Sequence, residues 1–354
     1  MNIRTILLLF ISIFLFVSCN KTEDPVKTPL FKTGEGFFIL NEGAFGQGNA
    51  SVSYYNIGTD SISHNIYENA NASKLGDVLQ SMTIVDDKAY LVMNNSAYIK
   101  VVDATDFEEI ATIEGFTSPR YMQIINSKEA YVSDIYAGNI WVVDLENNLI
   151  TDSIPVPGWT EEMVLVGQKL FVTSPTIYGN PTSKELYVID INTRTVQEAI
   201  SLKANPNNIL LDNEGMLNVF CLGDPFSTPK IAPSFYRINP ADFSDKSFFN
   251  MPGLPDAYSG QLAFDTDSKK IYILYGSVYY ADILDIGLSW ANAPIVESDG
   301  KSFYGLNVDP VTGDLFIMDA KDFNQAGKIY QYKSNGNFNR EFGTGIVPSK
   351  IVFY

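Results

Sequence analysis

The chain has 354 residues and a formal charge of −17, with 24 Lys and Arg against 41 Asp and Glu. That charge repels phosphate backbones and anionic headgroups, which argues against nucleic-acid binding and against electrostatic attachment to a membrane. A composition 45% hydrophobic and 13% aromatic suits a large β protein with a sizeable core.

In chain order, the first element is a leader. Arg4 gives a positive start, Ile6 to Val17 is an apolar run with one serine, and Cys19 follows after Ser18. The run is too short to cross a bilayer as a helix, so residues 1–18 read as a processing signal. It resembles a bacterial lipoprotein signal, in which the cysteine becomes the acylated first residue, with Phe16 at a position usually aliphatic. The polar, proline-containing residues 19–33 read as a flexible tether, and the acidic pair Glu23 and Asp24 looks like an export signal to the outer face of the outer membrane. This resemblance implies lipidation at Cys19, contact with the membrane only through that lipid, and a domain over 34–354 on the extracellular side. With Cys19 modified, Cys221 is left alone and no internal disulfide is expected.

The domain begins with "GFFIL", then "NEGAFGQGN", then "ASVSYYNI". A glycine-rich loop of this kind cradles phosphate only when a helix follows it, and here a second β-rich run follows. The loop is therefore expected to join two strands. Further on, strands close on a recurring signature at Asn56, Asp103, Asp144, Asp190, Asn239, Asp285 and Tyr332, with spacings of 47, 41, 46, 49, 46 and 47 residues. Short strands repeating at this period predict propeller blades, four antiparallel strands in each. Asp265 with Asp267, and Asp309 with Asp314, sit at tight turns and read as turn residues rather than calcium ligands. The first repeat lacks an inner strand, and the C-terminal "VPSKIVFY" matches "SPRYMQI" and "NPNNILL". The fold class is thus all-β, a seven-bladed β-propeller, with Ser349 to Phe353 closing blade one.

Catalytic chemistry has little to work with. The single histidine, His64, falls in the outer strand of blade one, which leaves none for a serine triad or a histidine-rich zinc site. Glu161 and Glu162 read as a solvated loop pair, with a divalent ion as the alternative. A non-catalytic binding role without a resident cofactor or metal is expected. The face carrying the glycine loop is the candidate site. Its loops between second and third strands are expected to carry Phe45, Tyr136, Tyr178, Phe226, Tyr279, Tyr280 and Phe323, and its entry loops add Trp159 and Tyr304. Starts of the inner strands place Gln80, Arg120, Tyr121, Glu162, Asn208 and Gln261 at the mouth, beside Ser81, Glu161, Asn207 and Lys350. Aromatic walls with amide donors and acceptors suit a large amphipathic ligand.

The opening "NEGAFGQGNASVSYYN", the repeated "VVD" strand ends and the leader resemble the YncE-like propeller lipoproteins of Bacteroidetes, and within them the BtuG group. The resemblance implies capture of cobalamin (vitamin B12) or a related corrinoid and its transfer to an outer-membrane TonB-dependent transporter. Capture of another nutrient or of a partner protein, and a metal-dependent lactonase-like hydrolase, are the alternatives.

Overall fold

A computed structural model describes residues 29–176, 182–251, 254, 260–267, 269–289 and 293–354. Seven antiparallel sheets follow one another along the chain as the blades of a propeller. Blade three is typical, running from an inner strand at Pro119–Asn126 through Glu129–Asp134 and Asn139–Asp144 to an outer strand at Leu149–Pro155.

Burial falls from the second strand outward. In Glu129–Asp134 every residue after the first is buried, whereas the outer strand Leu149–Pro155 is mostly exposed. The second strand has neighbouring blades on both faces, so it reads as a continuous apolar run rather than an alternating one. Alternate residues then serve opposite interfaces. In blade one Phe37 and Ile39 pack toward blade seven, while Phe38 and Leu40 pack toward blade two. Each of the seven interfaces between blades holds its own apolar cluster among the described residues.

The strand-end signature has a local cause. In "VVD" and "VID" the ladder to the outer strand shifts register just before the aspartate, at Val101/Val102, Val142/Val143 and Val188/Ile189. The aspartate then accepts turn amides: Asp144 Oδ1 takes those of Glu146 and Asn147, and Asp190 Oδ1 those of Asn192 and Thr193. Asp265 and Asp309 accept turn amides in the same way.

The ring closes as expected. Pro348–Phe353 pairs antiparallel with Gly36–Asn41, from Phe37 opposite Phe353 to Asn41 opposite Pro348. Three expectations need correction. Phe31, assigned to the tether, is buried and packs on Phe38, Tyr54 and Phe107, so the fold begins before residue 34. His64 lies just past the short outer strand Ser61–Ser63, exposed, with Nδ1 3.2 Å from Ser53 Oγ, and a helix at Ile66–Asn71 follows. Blade six has three strands among the described residues: Gln261–Phe264, Lys270–Tyr275 and Ser277–Asp282. Gly276, at φ 75°, turns the chain at once from the second strand to the third. The third strand therefore ends at Asp282, which accepts the Leu284 amide, and not at Asp285.

Candidate functional site at the channel mouth

The inner strand of each blade has a free edge toward the central channel, and its backbone groups need partners. The next blade's inner strand is served by side chains one repeat upstream. Ser81 Oγ donates to the Arg120 carbonyl at 2.7 Å, and Thr83 Oγ1 to that of Met122 at 3.1 Å. Glu162 Oε2 accepts from the Ile209 amide at 2.9 Å, Gln261 Oε1 from that of Leu306 at 2.9 Å, and Asn307 Oδ1 from that of Ile351 at 2.8 Å. Polar residues along the inner strands thus stitch blades together.

Above these stitches lies a charged belt. Glu161, contrary to the solvated reading, is buried, and its carboxylate receives Arg120 Nε at 2.8 Å and Nη2 at 2.6 Å. Arg120 also donates to Gln80 Oε1, and Gln80 Nε2 donates to the Tyr121 hydroxyl at 3.2 Å. Glu162 is held by blade five, through Asn208 Nδ2 at 3.1 Å as well as the Ile209 amide, and burial raises its pKa. Across the channel, Tyr304 donates its hydroxyl to Glu42 Oε2 at 3.1 Å. Burial pushes the Glu42 carboxyl up to about 7, against the pull of Arg120 and the Tyr304 hydrogen bond. The Tyr304 phenol rises too, chiefly because the Glu42 charge faces it, and burial raises Tyr121.

This belt walls a cavity of about 1350 Å³. Of the residues expected from sequence, Gln80, Arg120, Tyr121 and Glu162 line it on one side, and Asn208, Gln261 and Tyr304 on the other. The cavity is off-centre. At the rim it runs under the blade-five loop, where Phe226 is 68% exposed, and past Pro175, Thr176 and Thr182 of blade four. Asp224 braces that loop by accepting the amides of Phe226 and Ser227 and the Thr182 hydroxyl.

Other expected residues stand elsewhere. Tyr136 and Trp159 meet edge to face at 5.5 Å outside the cavity lining. Tyr279 and Tyr280 belong to the third strand of blade six because of the turn at Gly276: Tyr279 is buried, and Lys270 Nζ sits over the Tyr280 ring. Phe45 and Phe323 are exposed, and Phe323 packs edge-on against Tyr304. Tyr178 and Cys19 lie outside the described residues. Sequence reasoning missed Glu42 and Asp224. An acid one residue beyond a run of large apolar side chains, as in "FFILNE", is the signal that marks Glu42.

The chain is 18% identical to a quinonprotein alcohol dehydrogenase-like protein from Bacteroides thetaiotaomicron, with a TM-score of 0.68 over 90% of this chain and 78% of that one. It is 12% identical to a putative 6-phosphogluconolactonase from Bacteroides fragilis, with a TM-score of 0.65 over 92% of this chain and 99% of that one. A functionally unknown protein from Desulfotomaculum acetoxidans matches at 14% identity and a TM-score of 0.62, over 89% of this chain and 98% of that one. These likenesses are of fold alone. No curated protein matches the chain in sequence. A family model does match across residues 35–350, and the chain belongs to that family, a domain of unknown function (DUF5074).

Proposed function

We propose that this chain is a non-catalytic capture protein that holds a large amphipathic ligand, cobalamin or a related corrinoid, in the cavity at the channel mouth. The cavity carries the reading. At about 1350 Å³ it exceeds the ~300–1000 Å³ that suits drug-sized ligands, and amide, phenol and aromatic groups from several blades converge on it. A corrin is a broad apolar plate edged with amides, and that surface matches such a lining. With His64 exposed beyond the outer strand of blade one, recognition works through the plate and its amides, without histidine on the cobalt.

Binding is preferred to hydrolysis because the carboxylates are already occupied. A divalent ion on Glu161 would have to displace the two-pronged Arg120 contact, and one on Glu162 would release the Ile209 amide. Lipidation at Cys19 and transfer of the ligand to an outer-membrane TonB-dependent transporter complete the proposal. Calorimetric titration of the purified protein with cyanocobalamin tests it, with saturation at one site expected. No heat of binding at millimolar ligand would sink the corrinoid reading.

A further inference from the structure

The polar groups around the cavity are not a balanced set. Its acceptors are largely occupied by the wall: Glu161 by Arg120, Glu162 by Asn208 and Ile209, Gln80 Oε1 by Arg120, and Gln261 Oε1 by Leu306. Asn208 Oδ1 is sealed in the wall without a partner. Donors remain. Gln261 Nε2 makes no hydrogen bond among the described residues, and Lys350 Nζ, although it feels the Glu162 charge, makes none either and rests over the face of the Tyr121 ring, 5.2 Å from its centroid. An ammonium carries three donors, and a ring face gives it attraction but accepts no strong hydrogen bond. Arg120, the other cation among the described lining residues, is neutralised by Glu161.

We infer that the cavity reads its ligand through acceptor groups, and that Lys350 is the contact for one anionic oxygen, that of a phosphodiester. The inference rests on the corrinoid reading above. On cobalamin the amide side chains offer neutral carbonyls, and the phosphodiester of the nucleotide loop is the one anionic group at the periphery.

Two ligands and two variants test it. Cyanocobalamin has the phosphodiester, while dicyanocobinamide keeps the amidated corrin and lacks it. By calorimetry, Lys350→Met is expected to weaken cyanocobalamin by about tenfold, as loss of a charge-assisted hydrogen bond requires, and to leave dicyanocobinamide within about twofold. Lys350→Arg retains cyanocobalamin binding, and added salt weakens the wild type more than Lys350→Met. Equal losses on both ligands, or no loss on cyanocobalamin, overturn the inference alone. Cobyrinic acid, with carboxylates and no phosphodiester, separates the two oxyanions: tighter, Lys350-dependent binding of it overturns the phosphodiester assignment. Failure of every corrinoid to bind the wild type overturns this inference and the corrinoid reading together.

Discussion

The channel wall and the rim above it are built from different residue types put to opposite uses. In the wall, Glu161, Gln261 and Asn307 have their oxygens engaged by neighbouring blades. At the rim, Phe45, Tyr136 and Phe226 are more than half exposed, and Phe226 overhangs the cavity. The difference comes from the inner-strand edge, whose backbone must find partners, whereas rim loops carry their own turn hydrogen bonds. Substitutions in the wall should therefore cost stability, and those at the rim should cost affinity.

The largest test removes part of the wall. Deleting residues 348–354 takes away the closing strand, exposes the edge of Gly36–Asn41 and opens the cluster shared by blades one and seven. Loss of the cooperative thermal transition is expected in circular dichroism, and a truncated chain melting like the wild type would refute the closure. Next comes Glu161→Ala, which strands the Arg120 charge. A loss of about 3–5 kcal/mol is expected in urea unfolding, much of it recovered by adding Arg120→Met.

Glu42 gives a pH-dependent effect. Its folded pKa stands above the ordinary 4.5, so its protonated form favours the native state. That contribution is fully present below about pH 4.5 and is lost as the pH rises through about 7. Glu42→Gln should match the wild type at pH 4 and exceed it at pH 8 by on the order of 3 kcal/mol. Equal stability at both pH values would place the carboxyl in water. Smallest of all is Phe226→Ala, expected within about 0.5 kcal/mol of the wild type in stability while weakening cyanocobalamin. A larger destabilisation would erase the distinction between wall and rim.

Much of this architecture was legible from residues. The repeat and the closing strand were readable because apolar runs and turn aspartates carry local signals, as Asp144 and Asp190 do. Blade six was misread because "ADILD" has two aspartates, and the choice between them depends on the turn at Gly276. Phe31 was missed because a single aromatic in a polar stretch shows no period, and its partner Phe107 lies in another blade. At the site, residue types were readable and their engagements were not. Glu162 meets Ile209, and Gln261 meets Leu306, about one repeat away, so the contact follows from the ring's geometry. Read alone, Asn208 and Gln261 look like open amides; the fold turns one oxygen of the pair to a neighbour and seals the other.

The chain enters its first blade from the side away from the cavity. Leu30 and Phe31 donate their amides to the Thr105 carbonyl, and Gly34 donates to that of Tyr354, at the end of the strands opposite to Asn41 and Pro348. Whatever grips the polypeptide ahead of Leu30 thus holds the molecule by its back. Were the proposed lipid attachment made there, the mouth would face outward like a dish and swivelling about that point would leave its view of the surroundings unobstructed.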